Sequence, residues 1–181
     1  IYNHYWSEGA HIYRNTIDST GLVIGSGSQI AGSYLEGTAL YSAYGRHKYT
    51  SEKTIIEKNT ITNSGYNGIW FGADSAIVRY NYINKYNMNK SDGGAIYTGV
   101  NDSIYLGMKI QDNICLNGVT STDSTGQPQY NVVTANYNIY LDNTTDGGTT
   151  VSGNTCANTD GAGLMVHMSK NVTVSNNTFY N

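Results

Sequence analysis

One six-residue pattern recurs six times along the chain and limits its possible folds more than any other feature. The pattern is aliphatic-x-x-Asn-x-apolar, and its copies read IYRNTI, IEKNTI, VRYNYI, IQDNIC, VSGNTC and VSNNTF. The shared asparagines are Asn15, Asn59, Asn81, Asn113, Asn154 and Asn177. The shortest interval between them is about 22 residues, and longer intervals indicate insertions into the same unit. A repeat of this length predicts coils that stack on one another.

A second apolar block lies between successive copies of the Asn pattern. It reads GLVIG from Gly21, GIWFG from Gly68, AIYTG from Ala95, NIYLD from Asn138 and GLMVH from Gly163. Because strand side chains alternate between faces, the second and fourth residues of each block are predicted to point inward. The predicted outward columns are Val23, Trp70, Tyr97, Tyr140 and Met165, followed by Gly25, Gly72, Gly99, Asp142 and His167.

These columns predict an all-β protein, a right-handed parallel β-helix with about 22 residues in a regular coil. Stacking the coils at about 4.8 Å would bury the aliphatic columns and align the asparagines in a ladder at a tight bend. The composition agrees, since the chain has 21 Gly, 17 Tyr and one Pro and only 13% charged residues. A sandwich or propeller would need two-residue hairpin turns, and these are missing from the sequence. The remaining alternative is an irregular all-β domain.

The length suits a single domain spanning residues 1–181. Loop insertions are predicted at residues 26–52, 84–92 and 116–135, where the interval between repeats lengthens. Both termini fall inside the repeating pattern, and no capping segment is evident at either one. The chain is therefore predicted to be part of a longer β-helix.

The cysteine and acidic residues give little sign of a cofactor. Cys115 and Cys156 share a core column otherwise filled by Ile and Phe, so two buried thiols are favoured, although the spacing also permits a disulfide. No zinc or calcium-loop spacing is present. No cofactor is predicted to be required, while a Ca²⁺ held between coils by Asp and Asn side chains stays open.

Charge and hydropathy exclude two classes of partner. The net charge is −3, and the longest basic run is the triplet from Arg46 to Lys48, so nucleic acid is not predicted to bind. No apolar stretch is long enough to span a membrane. The predicted partner is therefore not a polyanion held by charge alone.

Polar residues end the second block in two neighbouring coils. Asp142 and His167 fall in one outward column, beside Gly72 and Gly99 in the preceding coils. The glycines are expected to leave an open floor, so this part of the surface is predicted to be a groove with polar groups at one end. His167 could hold a proton near neutral pH or only hydrogen-bond the carboxylate.

A second carboxylate is predicted near this groove. Asp92 in SDGGAIYTG follows an insertion and lies one coil from Asp142. Asp160 occupies the matching place two coils on and is interpreted as a turn residue. Two carboxylates beside a groove are what glycoside hydrolysis requires, one as the acid and one as the base or nucleophile.

An aromatic stripe borders the predicted groove. Trp70, Tyr97 and Tyr140 recur at coil spacing on the outward face. Such a surface suits sugar rings, but an aromatic ladder can equally stabilise the stack of coils. Arg46 and Lys48, in the first insertion, could reach over the groove to bind substrate.

The run DGGAIYTG from Asp92, the run NIYLDN from Asn138 and the VSGNT and VSNNT turns resemble bacterial right-handed β-helix proteins of the pectate-lyase-like superfamily. That superfamily includes polysaccharide lyases, glycoside hydrolases, uronan epimerases and phage tailspikes. The resemblance implies a secreted or cell-surface protein whose partner is a polysaccharide or oligosaccharide.

Departures from the superfamily's motifs narrow the expected activity. Gly-His-Gly of polygalacturonases and Arg-x-Pro-x-x-Arg of calcium-dependent pectate lyases do not occur. The outward strand columns contain no Arg or Lys to act as a lyase base. We expect a glycoside hydrolase that uses Asp92, Asp142 and His167, with a polysaccharide lyase or epimerase as one alternative. A non-catalytic glycan-binding, adhesive or tailspike β-helix is another.

Overall fold

The computed structural model describes residues 1–4, 9–23, 37–43, 53–99, 105–118, 136–142 and 145–180. These residues form three parallel six-stranded sheets and one two-stranded sheet. The chain visits sheets A, B and C in turn and then repeats the circuit, as the predicted right-handed parallel β-helix requires. The described residues contain no helix long and apolar enough to cross a membrane.

Each large sheet receives one strand from every coil. Sheet A contains β1 (Tyr2–His4), β4 (Leu40–Ala43), β7 (Ile69–Gly72), β10 (Gly93–Gly99), β14 (Asn136–Asp142) and β18 (Leu164–His167). Sheet B contains β2 (His11–Tyr13), β5 (Ile55–Glu57), β8 (Ile77–Arg79), β12 (Lys109–Gln111), β16 (Thr150–Ser152) and β19 (Thr173–Ser175). Sheet C contains β3 (Thr16–Thr20), β6 (Thr60–Ser64), β9 (Tyr82–Tyr86), β13 (Ile114–Gly118), β17 (Thr155–Ala157) and β20 (Thr178–Tyr180). The small sheet pairs β11 (Tyr105–Leu106) with β15 (Thr145–Gly147).

A two-residue turn joins sheets B and C in every coil. Its first residue has a positive φ, between 54° and 69°, at Arg14, Lys58, Tyr80, Asp112, Gly153 and Asn176. Its second residue is the repeated asparagine. The left-handed residue turns the chain sharply, and the asparagine side chain then satisfies the backbone groups that the turn leaves unpaired.

The asparagines form the predicted ladder, and Asn113 illustrates one rung. Its Oδ1 accepts hydrogen bonds from the backbone N–H and the Nδ2 of Asn81, each at 3.0 Å. Its Nδ2 donates to the carbonyl of Val78 at 3.0 Å and to Oδ1 of Asn154 at 3.0 Å. The same contacts recur along the column, so the sequence repeat is explained by a chain of buried amides.

Aliphatic columns inside the ladder corner form the core. Sheet B contributes Ile12, Ile56, Val78, Ile110, Val151 and Val174, which pair in register as predicted. Sheet C contributes Ile17, Ile61, Ile83, Cys115, Cys156 and Phe179, also in register. Except for Val174 and Phe179 in the last coil, which are exposed, these side chains are buried or partly buried. Apolar side chains stacked at strand spacing stabilise the column.

The two cysteines lie in this core as buried free thiols. The pKa of the Cys115 thiol is raised by its hydrogen bond with Cys156 and by burial. We expect neither thiol to react with an aromatic disulfide reagent at neutral pH in the native protein, and both to react in denaturant. Rapid labelling of either cysteine in the native state would contradict this packing.

The structure corrects the placement of the first apolar block. Gly21 to Val23 form no strand, and a Cβ on Gly21 would collide with the backbone of Gly37. The strand opposite β7 is Leu40–Ala43, which pairs Leu40 with Ile69. The prediction that the block at Gly21 belongs to the sheet A column was wrong, because Gly21 has a left-handed conformation (φ 63°) and residues 21–23 form a bend instead of a strand. Residues 24 and 25 lie outside the described part.

The predicted insertions also have different limits. The segment 26–52 contains β4 and the preceding residues 37–39, whereas residues 26–36 and 44–52 lie outside the described residues. Residues 84–86 belong to β9, so the insertion predicted at 84–92 begins after Tyr86. Residues 116–118 belong to β13, and 119–135 are not described. The additional residues join sheet A to its neighbours, so the insertions flank the strands of sheet A.

Candidate functional site

An aromatic layer covers the outer face of sheet A. Trp70, Tyr97 and Tyr140 stand in one register column, and only 6–8% of each residue is exposed. Their rings meet edge to face, at 4.8 Å between Trp70 and Tyr97 and 5.2 Å between Tyr97 and Tyr140. Tyr66 completes the buried layer, and Tyr41, Tyr137 and Met165 pack around it, partly exposed. The three predicted stacking residues are therefore buried, in contact with one another and with their neighbours in the layer.

The glycines beside this layer do not form the predicted open floor. A Cβ on Gly99 would collide with the hydroxyl end of Tyr97, and one on Gly72 would collide with the ring of Tyr105. Trp70 adds a hydrogen bond from Nε1 to the carbonyl of Gly99, at 3.0 Å. The expectation was wrong because the side chains of Tyr97 and Tyr105 occupy the space beside these glycines.

Asp142 is held from both sides at the end of β14. Its Oδ1 contacts Nδ1 of His167 at 2.8 Å, and its Oδ2 accepts a hydrogen bond from the hydroxyl of Tyr97 at 2.8 Å. The Asp142 side chain is 18% exposed and that of His167 is 45% exposed. Because a carboxylate only accepts hydrogen bonds, Nδ1 of His167 must carry the proton in this contact. The other ring nitrogen, Nε2, is then free to accept a proton.

Asp92 lies immediately before β10 in a left-handed conformation, with a φ of 59°. The hydroxyl of Tyr66 fixes this turn by donating to the Asp92 carbonyl at 2.8 Å. Partial burial raises the pKa of the Asp92 carboxyl, and the Asp142 carboxylate raises it further. His167 and a hydrogen bond with Tyr140 lower the pKa, but the net shift is upward.

The tyrosine hydroxyls remain protonated donors at this site. Burial, followed by the charge of Asp142, raises the pKa of both Tyr97 and Tyr140 above the ordinary value for phenol. A phenol that keeps its proton can donate to a carboxylate across the whole range in which the carboxylate is ionised. The aromatic layer thus orients the two acidic groups, in addition to packing on sheet A.

The structure brings Asp92, Asp142 and His167 close enough for their charges to interact, while their catalytic role stays a prediction. It also brings in Tyr66 and Lys90, which sequence reasoning missed. Lys90 is buried, with its Nζ 5.0 Å from the centre of the Tyr66 ring. Neither residue belongs to a repeating column, so periodicity gave no signal for them. Arg46 and Lys48, the predicted substrate-binding cations, lie outside the described residues.

Asp160 occupies a turn on the neighbouring coil. Its Oδ1 accepts a hydrogen bond from the backbone N–H of Asn136 at 2.9 Å. This contact fixes the entry to β14 and agrees with interpreting Asp160 as a turn residue.

Metal binding was considered from the acidic and histidine side chains. Within the described ranges, no three His, Cys, Asp or Glu residues come together in a way that could hold an ion. A Ca²⁺ between coils stays a prediction from the sequence.

The family model for the right-handed beta helix region matches residues 4–179. The chain belongs to this family. The match spans all six copies of the Asn pattern, so the family assignment and the ladder rest on the same residues. No curated protein and no solved structure matched the chain. For this β-helix protein, an argument about activity depends on the site itself.

Proposed function

We propose that this β-helix protein is a glycoside hydrolase that acts on a polysaccharide outside the cell or at its surface. The observation that carries the proposal is the pair of carboxyl groups on sheet A. The pKa of Asp92 is raised, in part by the neighbouring Asp142. A carboxyl group whose pKa is raised can serve as the acid, with a second carboxyl group on the basic side of the same reaction.

Asp92 is the proton donor in this proposal. In its protonated form it transfers its proton to the glycosidic oxygen as the bond to the anomeric carbon breaks. The raised pKa keeps the donor loaded to a higher pH than an ordinary aspartate. Asp92 is also exposed to solvent, so a sugar can reach it.

Asp142 and His167 together form the basic partner. Asp142 already accepts two hydrogen bonds, whereas the His167 ring is nearly half exposed. A water molecule that attacks the anomeric carbon gives its proton to Nε2 of His167, and Asp142 stabilises the resulting imidazolium. The proton lost by Asp92 and the proton gained by His167 balance the hydrolysis of one bond.

Substrate contacts are proposed at the margins of the aromatic layer. Trp70, Tyr97 and Tyr140 are too buried to offer a full ring face to a sugar. Tyr41 and Tyr137 are partly exposed and pack against the layer, so they are better placed to stack on a sugar ring. Arg46 and Lys48 remain candidates for binding acidic or hydroxyl groups from the first insertion.

A polysaccharide lyase or epimerase is the second candidate, and the histidine pair supports it. A His167 held by Asp142 is also a competent base for removing the proton beside a uronate carboxyl group. Lyase chemistry yields an unsaturated uronate that absorbs ultraviolet light, whereas hydrolysis does not. The two reactions are therefore distinguished by their products.

The proposal is tested on a panel of neutral and acidic polysaccharides, with assays for new reducing ends and for ultraviolet absorbance. We expect reducing ends without absorbance, lost in Asp142→Asn. Asp112→Asn is the matched control, because Asp112 is exposed on a turn between sheets B and C. Absorbance would replace the hydrolase with the lyase. Binding without cleavage on every substrate would contradict both and favour a glycan-binding β-helix.

A further inference from the structure

A group of cations and tyrosines lies at the corner where sheets B and C meet. This corner is the edge of the three-sided coil that does not border sheet A. We name the group the basic corner, and its members are Tyr13, Arg14, Lys58, Arg79, Tyr80 and Tyr82. All six come from the first three copies of the Asn pattern. The corner is thus a local feature of the solenoid and is not repeated along it.

Arg14 and Lys58 project side by side from the turn between the two sheets. Both occupy the left-handed position of the turn, with φ of 54° and 56°, in successive coils about 4.8 Å apart. The Tyr13 ring organises both cations, with the Arg14 Cζ 4.9 Å and the Lys58 Nζ 5.5 Å from its centre. Cation–π contact of this kind orients the charges without neutralising them.

Arg79 adds a third cation above a nearly buried acid. Its Nε donates to Oε2 of Glu57 at 2.6 Å, and Nε2 of His11 contacts Oε1 of Glu57 at 3.0 Å. The pKa of Glu57 is lowered, first by the Arg79 hydrogen bond, so this acid stays ionised and paired. The Arg79 side chain is 37% exposed and its Cζ lies 5.7 Å from the Tyr80 ring centre.

The charge of the corner differs in sign from that of the chain. Arg14, Lys58 and Arg79 against Glu57 leave a local charge of about +2, whereas the whole chain has a net charge of −3. In the next coil the same turn position is occupied by an acidic residue, Asp112, so the positive charge does not continue further. The corner also exposes 50% of Tyr80 and 37% of Tyr82. Exposed rings beside Arg14 and Lys58, which form no salt bridge with a described residue, make a surface suited to an anionic ligand with apolar faces.

We propose that the basic corner is a second binding surface, separate from sheet A, for an anionic polysaccharide. Carboxylate or sulfate groups pair with Arg14, Lys58 and Arg79, and sugar rings pack on Tyr80 and Tyr82. The choice of a polysaccharide over another polyanion rests on the proposed function. A chain bound at this corner is held on the protein while another segment of the polymer occupies sheet A, which raises its effective concentration there.

Binding to the corner is tested with the full chain against polygalacturonate, a sulfated glycosaminoglycan, a neutral dextran and a DNA duplex, at low and high salt. The test variant is Arg14→Gln with Lys58→Gln, and the control is Lys85→Gln with Lys109→Gln, which removes equal charge from exposed sites elsewhere. We expect the test variant to lose roughly 2- to 30-fold in affinity for at least one anionic polysaccharide, since each exposed ion pair contributes modestly. The control is expected to bind like the wild type, and thermal unfolding verifies that both variants fold.

If the test and control variants lose affinity equally, net charge alone explains the binding and the proposal is overturned. Unchanged binding in the test variant, or tighter binding to DNA than to either anionic polysaccharide, would also overturn it. The proposal of a hydrolase site on sheet A can be contradicted independently of the proposal for the basic corner. Asp142→Asn is expected to retain polymer binding, and the corner variant is expected to cleave short oligosaccharides at the wild-type rate.

Discussion

Asp92→Asn is expected to lower kcat by about two to four orders of magnitude, the usual contribution of a positioned acid. Asparagine keeps the shape of the side chain but has no acidic proton that it can transfer to a leaving oxygen. The change is measured as the rate of reducing-end formation on the best polysaccharide of the panel. Asp112→Asn, which makes the same chemical change on an exposed turn, is expected to leave kcat unaltered. A loss of less than about tenfold in Asp92→Asn would remove Asp92 from the role of acid.

The raised pKa of Asp92 also fixes the sign of two pH effects. Because the native state holds this proton more tightly than the unfolded state does, stability falls as pH rises from the ordinary aspartate pKa through the raised one. Asp92→Asn removes that loss, so its Tm at neutral pH should equal or exceed that of the wild type. Activity should decline as pH rises through the same raised pKa.

The cause of the shift can be tested on the carboxyl group itself. Asp142→Asn removes the neighbouring negative charge, so the pKa of Asp92 should fall in an NMR titration of its carboxyl carbon. An unchanged or higher pKa would mean that the two groups do not interact as described. Their proposed division into acid and base would then lose its support.

The ladder and the core columns could be predicted because each repeated position has one structural task in every coil. Only an amide side chain can accept from one coil and donate to the next, so Asn113 and its equivalents are readable from the sequence alone. Inward Ile56 and Ile61 are equally constrained, since any polar residue there would be buried without a partner.

The second strand of sheet A was misread because it is less apolar than the turn before it. Leu22 and Ile24 alternate as a strand would, whereas the true strand Leu40–Ala43 contains Tyr41 and Ser42. A period of two over five residues is too short to separate a strand from an apolar turn. The distinguishing contact, between the backbones of Gly21 and Gly37, is long-range and leaves no local pattern.

The site was predictable in its columns and unpredictable in its side-chain directions. Column alignment placed Asp142 beside His167, and strand pairing confirms that register. Nothing in the alignment indicated that the Tyr97 hydroxyl would extend over Gly99 to reach Asp142. Rotamers on a crowded face are decided by neighbours in other coils, so the aromatic layer emerged only from the structure.

Asn113→Ala is expected to destabilise the fold by about 3–5 kcal/mol, a large part of the total for a domain of this size. Alanine leaves the backbone N–H and Nδ2 of Asn81 without their acceptor and removes the donor to Val78. All of these groups are buried, so water cannot replace the lost bonds without opening the turn. The loss is measured by urea unfolding followed by circular dichroism.

Asn15→Ala is the matched control, because Asn15 lies on the first described rung and is only partly buried. Its Nδ2 donates to Asn59 and Tyr13, and no described residue donates to its Oδ1. Its loss should therefore cost about 1 kcal/mol.

Asn113→Asp tests the same contact through pH. The introduced carboxylate would face the Val78 carbonyl, which would raise its pKa, so this variant should regain stability relative to wild type as pH falls. If Asn15→Ala and Asn113→Ala destabilise the protein equally, neither the burial of the amide nor its hydrogen bonds to neighbouring coils determines the stability of the solenoid.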